Sequence, residues 1–262
     1  MTYNTLLLEK KDSNTLVLKF NRPELSNAIN YEMLLELQDF WSKIIDSQVQ
    51  YKYLIITGSG DKAFCGGADL KERNNLTTKQ WKRIHTLLSQ VIFSIFECPI
   101  PVIAAINGLA FGGGLEIALA CDFAYSSDHA LFSQPEVKRG IIPGAMGTQL
   151  LPRYVGISRA KELCYTGKIF DVFQAYEWGI INKICKGDSL MSEVLSCVEM
   201  IAENSFCAIR QVKKALNISL DVGVKSGYLY EIEAYNQLIG SFDRIEGIRA
   251  FNEKRKPYFK NK

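Results

Sequence analysis

Two glutamates and two glycine-rich turns hold the chemical potential of this 262-residue chain. Glu116 closes the run Ala110-Phe111-Gly112-Gly113-Gly114-Leu115-Glu116, and Glu136 follows Ser133-Gln134-Pro135. A further stretch of small residues, Ala63-Phe64-Cys65-Gly66-Gly67-Ala68-Asp69-Leu70, precedes both. Glycine-rich turns let backbone come close to a ligand and aim bare N–H groups at a single oxyanion. Two carboxyls beside such a site can remove a proton from one atom and deliver one to another. In a dry pocket they repel, which raises one apparent pKa and leaves an acid next to a base. Each feature alone has a plainer reading. The glycines can serve only close helix–strand packing, Glu116 can be an acid favoured at a helix N-terminus, and Glu136 a solvated loop charge.

Only the fold can bring these segments together, so the elements around them matter. Leu16, Leu18 and Phe20 alternate as a half-buried strand. Met33, Leu34, Leu37, Phe40, Trp41, Ile44 and Ile45 recur at helical spacing behind Asn30, a suitable N-cap. Strands are expected at Tyr53–Thr57, ending at Gly58, and at Pro101–Ile106, with an amphipathic helix over Thr78–Phe96 between them. A short helix starts at Gly113 or Gly114 and ends near Cys121, placing Glu116 on its first turn; Pro135 holds Glu136 at a turn. Short strands are expected at Phe123–Tyr125, Ala130–Phe132 and near Ile180–Ile184. Beyond Thr148 the pattern is mostly helical, and from Ser192 to Phe251 almost wholly so. Strand–helix alternation followed by a helical tail implies an α/β core, for which periodicity alone suggests a parallel layered sheet.

Several functions are disfavoured. The net charge of +3 is too small to imply a nucleic-acid partner. No apolar run approaches a membrane span. Seven cysteines without a C-x-x-C pair read as reduced thiols in a cytosol-like compartment. Nothing after Met1-Thr2-Tyr3-Asn4-Thr5 resembles a secretory signal, so the expected location is the cytoplasm, or the mitochondrial matrix where a transit peptide has been removed. Gly58-Ser59-Gly60-Asp61-Lys62-Ala63 has the G-x-G-x-x-A form of a dinucleotide fingerprint. It lacks the acidic residue that should follow for the ribose, since Asn74–Phe96 contains no Asp or Glu, and it reads as a turn. His85 and His129 are the only histidines and lack metal-ligand spacing, and no G-x-S-x-G elbow is present. Cys65 is expected to be a buried packing residue rather than a nucleophile.

Taken in order, the glycine-rich and glutamate segments resemble the enoyl-CoA hydratase (crotonase) family. The resemblance runs from Asn21-Arg22-Pro23 to the basic tail Glu253-Lys254-Arg255-Lys256. It implies an α/β spiral of ββα units with a C-terminal helical region, a topology that spacing does not supply. Residues 1–190 would form the core with the active site. Residues 191–262 would be a helical subregion of the same domain serving oligomerisation, as trimers or pairs of trimers. The implied reaction is reversible addition of water to a 2-enoyl-CoA, as in fatty-acid β-oxidation. It gives a 3-hydroxyacyl-CoA through a thioester enolate, without a metal or redox cofactor, coenzyme A being part of the substrate.

By the same resemblance, the N–H groups of Ala68 and Gly113 form the oxyanion hole. The residue matching Glu116 helps to activate water, and the one matching Glu136 protonates the α-carbon. Asp69, Leu70 and Lys71 flank the first loop as substrate-binding positions, and Gly144 borders the water and acyl chain. Met146 stands where the family usually has a small residue, so it either narrows the acyl pocket or fills a core gap. Phe259 and Lys260 match the C-terminal residues that approach the CoA phosphates, often those of a neighbouring subunit; the tail otherwise reads as a solvated terminus. Glu24 departs from a position that is often basic. Rival readings are another crotonase chemistry (isomerisation, decarboxylation or hydration of a specialised thioester) and a non-catalytic or RNA-associated protein on the same fold. Many isomerases and decarboxylases lack one of the two glutamates, whereas this chain keeps both.

Overall fold

The computed structural model describes residues 2–45 and 51–260. Strand β1 (Leu6–Lys10) pairs antiparallel with β2 (Thr15–Phe20), and α1 (Tyr31–Ile45) follows. The Met33 N–H donates to Asn30 Oδ1 at 3.0 Å, the expected N-cap bond. The apolar stripe of α1 is buried, with Phe40 and Trp41 edge to face at 5.2 Å. Next come β3 (Tyr53–Gly58), β4 (Ala63–Cys65), α2 (Leu70–Arg73) and α3 (Thr78–Phe96). Thr77 and Gln80 form a reciprocal capping box at the start of α3. Then follow β5 (Val102–Ile106), β6 (Leu109–Phe111), α4 (Gly113–Ala120), β7 (Phe123–Ser127) and β8 (Leu131–Ser133). After β8 come α5 (Gly147–Val155), α6 (Ile157–Thr166), β9 (Ile169–Asp171), α7 (Val172–Glu177) and β10 (Lys183–Cys185). Helices α8 (Leu190–Ala202), α9 (Phe206–Ile218), α10 (Val224–Ile239) and α11 (Phe242–Asn252) complete the order.

The strands form two sheets. One has the order β1-β2-β3-β5-β7-β10, parallel from β2 onward; the other has the order β4-β6-β8-β9, with only β9 antiparallel. Each of the pairs β3–β4, β5–β6 and β7–β8 sends its first strand to the large sheet and its second to the small one, and helix follows. This is the ββα repeat that the family resemblance implies. Strand β2 differs from its expected half-burial: only Lys19 escapes full burial, because β2 lies between β1 and β3 and both its faces are covered. The apolar β5 and the mainly apolar β3, whose Thr57 hydroxyl donates to the Ala105 carbonyl, are wholly buried for the same reason.

The dinucleotide-like segment is a turn. Asn107 donates to the carbonyls of Gly58 (3.0 Å) and Gly60 (2.7 Å), and Asn27 donates to those of Ser59 (3.0 Å) and Ala63 (2.8 Å). Strand β4, not a helix, follows it. No helix among the described residues is long and apolar enough to cross a membrane.

The chain divides into two compact units, Met1–Cys98 with Val102–Val194 and Pro99–Pro101 with Leu195–Lys262. In the second, buried Lys213 donates from Nζ to the Ile100 carbonyl at 2.8 Å, and α9 packs on α10. The C-terminal tail is more firmly held than a solvated terminus. Arg255 forks onto Glu246 with N···O distances of 2.6 and 3.0 Å, and the Tyr258 N–H donates to Glu246 at 2.8 Å. The Lys260 N–H donates to Asp243 at 2.7 Å.

The Arg255 bonds hold the Glu246 carboxyl down to about 2, below an unfolded-chain value near 4.3. Its stabilising effect is therefore complete above that unfolded value and is lost as pH falls through the folded one. Glu246→Gln is expected to lower the thermal midpoint at pH 7, with the gap from the parent protein closing between about pH 5 and 2. Melting followed by circular dichroism across that range checks it; a gap independent of pH counts against the Glu246–Arg255 account.

Candidate active site

Strands β4, β6 and β8 are neighbours in parallel register, with Cys65 opposite Ala110 and Phe111 opposite Ser133. Their C-terminal ends therefore lie side by side, and the loop after each delivers one part expected from the sequence. Ligands gather at such carboxyl ends because the departing loops and helix N-termini converge there.

After β4, the Ile29 N–H donates to the Gly67 carbonyl (2.8 Å) and the Asp69 N–H to the Ile29 carbonyl (2.9 Å), passing over the Ala68 N–H. Gly67 has φ +85°, and a Cβ there would lie 2.6 Å from the Phe111 carbonyl oxygen. Only glycine permits this turn and this contact between the two loops. Asp69 caps α2 by accepting from the Lys71 and Glu72 N–H groups, and its other oxygen meets Arg22 at 3.0 Å. Its carboxylate thus serves the loop.

After β6, Gly112 takes φ +52°, and a Cβ there would stand 2.7 Å from Glu136 Oε1. Gly113 opens α4, so its N–H has no partner within the helix. A Cβ on Gly67 would lie 3.4 Å from the Gly113 nitrogen, which puts the two donor loops in contact. All of α4 is buried, and the positive end of its dipole, at Gly113, lies on the wall of the cavity between the loops.

Glu116, on the first turn of α4, is 2% exposed. Its Oε1 accepts the N–H groups of Ala145 and Gly147, both at 2.8 Å. Burial pushes its carboxyl up, and the two backbone donors oppose that push. Glu136 opens a turn of 3₁₀ helix, Glu136–Arg139, after β8. Burial, followed by the charge of Glu116, pushes its carboxyl up to about 7. The buried Gln134 donates to Glu136 Oε1 at 3.2 Å, and Oε2 is buried without a hydrogen-bond partner. One carboxyl is thus held by donors suited to an anion. The other is poised near neutrality with an oxygen free to carry a proton.

Ala68, Leu70, Gly113, Glu116, Glu136 and Gly144 line one cavity of 180 Å³. A groove of 1020 Å³, walled by α3 and residues 141–149, shares Arg73, His85, Ile141, Ile142 and Gly144 with that cavity and includes Met146. Met146 adopts φ +75°, unusual for a residue with a Cβ. Asp69 and Lys71 belong to the first loop and α2 but are not among the residues on the cavity wall. Phe259 and Lys260 belong to the C-terminal unit, where Phe259 lines a separate 650 Å³ cavity and Lys260 Nζ lies 4.6 Å over the Phe242 ring. Cys65 is fully buried and its thiol is pushed up to about 12, which suits packing and not nucleophilic attack.

Sequence reasoning missed Arg73, His85 and Gln134. Gln134 had a usable signal, being two residues before Glu136 on the same strand end. Arg73 and His85 lie on helices whose faces the sequence pattern alone did not assign.

The sequence pattern described as enoyl-CoA hydratase/isomerase matches residues 10–262. Crotonyl-CoA hydratase of Syntrophomonas wolfei is 38% identical over 262 residues, covering 100% of both chains. Short-chain-enoyl-CoA hydratase of Clostridium acetobutylicum is 35% identical over 263 residues, again covering 100% of both. The crystal structure of an enoyl-CoA hydratase from Bacillus anthracis superposes with a TM-score of 0.95 at 36% identity, covering 99% of this chain and 100% of that one. With two donor loops and two carboxyls gathered on one cavity, and similarity of this extent, the chain belongs to the enoyl-CoA hydratase/isomerase family.

Proposed function

We propose that the chain adds water reversibly to 2-enoyl-CoA thioesters, giving 3-hydroxyacyl-CoA, with Glu116 and Glu136 as its proton-handling pair. The observation that carries this reading is a pair of carboxyls on one cavity, both pushed up by burial and held by different hydrogen-bond partners. Glu116 accepts two backbone N–H bonds, while Glu136 sits near neutrality with an unpartnered oxygen. The thioester oxygen would rest between the Ala68 and Gly113 N–H groups. Ionised Glu116 would take a proton from water as its oxygen bonds to C3. The electron pair of the C2–C3 bond then moves into a thioester enolate, and protonated Glu136 delivers a proton to C2. Each backbone donor to the oxyanion supplies about 3 kcal/mol of transition-state stabilisation. Every step uses groups of this chain, so the reaction as proposed asks for no metal or redox cofactor.

Gly144 and Met146 would border the acyl chain. Phe259 and Lys260 would meet the nucleotide end of coenzyme A, in the same or a neighbouring subunit. Trimers or pairs of trimers are the proposed assembly, supported by apolar side chains left exposed on the C-terminal helices, among them Val224 (90%) and Phe251 (82%). A cytoplasmic or matrix location agrees with seven cysteines that form no disulfide among the described residues.

Glu116→Gln and Glu136→Gln are each expected to lower kcat by about 10²- to 10⁴-fold with little change in KM. The double variant should lose far less than the product of the two. In the parent protein, kcat/KM should fall above about pH 7, where Glu136 loses its proton, and Glu136→Gln should lack that limb. Loss of conjugated-thioester absorbance measures all of this; near-parental hydration by Glu136→Gln refutes the pairing.

Met146→Gly is expected to shift relative rates toward longer or bulkier acyl chains. Relief of the positive φ roughly offsets the added chain entropy, so stability should change by less than about 1 kcal/mol. Unchanged relative rates across a chain-length series would leave Met146 as packing only. Sedimentation at micromolar concentration should show trimers or hexamers, and a protein that stays monomeric there contradicts the assembly.

A further inference from the structure

Arg73 ends α2, one turn beyond the first oxyanion loop. It is 7% exposed, and its Nη2 is buried without a hydrogen-bond partner. Its guanidinium carbon lies 5.2 Å from the centre of the Trp81 ring, which covers the group without occupying its donors. Among the described residues, no ion pair joins Arg73 to a carboxylate. Its neighbour Glu72 attracts it through space but spends Oε2 on the Tyr31 N–H at 2.8 Å. Arginine is rarely buried without a partner, because an uncompensated charge in a dry site is costly.

The position of Arg73 says where a partner would come from. It lines both the cavity that holds Glu116 and Glu136 and the groove that continues from it, so it stands where the two meet. The other basic groups on the two walls are Lys82 and His85 in the groove and the exposed Arg139 in the cavity, and α3 and the turn before it, residues 74–96, contain no acid. The only carboxylates on either wall are Glu116 and Glu136, which the hydration chemistry claims. Ile141 and Ile142, shared by the two walls, offer apolar contact to a hydrocarbon stem. The joined space therefore has an apolar lining, a proton-handling end and one buried, unsatisfied cation. A plain alkyl chain would leave that cation without a partner. A short acyl chain ending in an anion would complete it, and a planar carboxylate matches the guanidinium fork.

We propose that the preferred acyl group carries a terminal carboxylate and that Arg73 receives it. This rests on the acyl-CoA reading above and narrows it to enoyl-CoA thioesters of dicarboxylic acids. Arg73 then discriminates among substrates, while the two glutamates and the backbone donors act on the reacting atoms. Lys82 on the groove wall and Arg139 on the cavity wall would add to the positive potential.

The test uses two saturated acyl-CoAs of matched shape, 4-carboxybutanoyl-CoA and 5-methylhexanoyl-CoA, in which a carboxylate replaces an isopropyl group. Neither can be hydrated, so calorimetric binding to the full-length protein reports on Arg73 even if the proposed reaction is wrong. The parent protein is expected to bind the acid at least about tenfold more tightly. In Arg73→Met that ratio should fall to one or below, and Arg73→Lys, which keeps the charge without the fork, should lie between. Equal affinities in the parent, or a preference for the isopropyl compound, overturns the proposal and requires no variant to fold. A preference for the acid that survives Arg73→Met also overturns it, as does an equal loss for both ligands and for free coenzyme A, which would assign Arg73 to the nucleotide end. Hydration assays on 4-carboxybut-2-enoyl-CoA and 5-methylhex-2-enoyl-CoA then separate the two readings. Failure to hydrate either, with the binding preference intact, rejects the reaction and keeps the carboxylate site.

Discussion

The parallel register of three very short strands sets everything else at this site. β4, β6 and β8 contribute three residues each, too few to be stable as an isolated sheet. Each follows a strand of the large sheet after a short turn, and the repeat places every second strand beside the last in a sheet of their own. Parallel pairing puts the three exits at one edge. The loops leaving that edge hold the Ala68 N–H, the Gly113 N–H and Glu136. Glu116 follows by a single helical turn. An antiparallel partner in place of β6 would send one of these loops to the opposite edge and dismantle the site without altering any reactive residue.

The second constraint is electrostatic. Two carboxyls in one dry cavity cannot both ionise cheaply, so the fold treats them differently. Glu116 is supplied with two backbone donors and Glu136 with one side-chain amide. Burial pushes both carboxyls up, and the donors that oppose this push differ between them, which is the asymmetry that the proposed base and acid roles rest on. The buried N-terminus of α4 adds to this, since its dipole favours negative charge both on Glu116 and on an oxygen bound at Gly113.

Much of this was legible in the chain. Long apolar runs such as Leu54-Ile55-Ile56 and the stripe of α1 announce their strands and helix, and Asn30 announces a cap. The glycine runs and the two glutamates identify the reactive parts because their chemistry depends on residue type. Of the three-residue strands, β8 and β10 fall where short strands were expected, whereas β4, β6 and β9 were not anticipated, since nothing so short establishes a period. Strand β1 was also missed, and its Leu6-Leu7-Leu8 run gives no alternation to read. The roles of Gln134 and Arg73 depend on which atoms end up without partners, a property of the packed structure. The tail shows the same limit: its basic residues look solvated in sequence, yet Arg255 is paired with Glu246 through a fork that no local pattern encodes.

Glu116 has a mechanical role beside its chemical one. The two N–H groups that it grips, those of Ala145 and Gly147, flank Met146, the residue held in a left-handed backbone conformation on the groove wall. The carboxylate is a latch on the segment that shapes the space for the acyl chain. Adding a proton to it weakens that latch, so the charge on Glu116 and the outline of the groove are not independent variables. A substitution within residues 145–147 is therefore felt at the Glu116 carboxyl, and a change at Glu116 is felt by the groove wall.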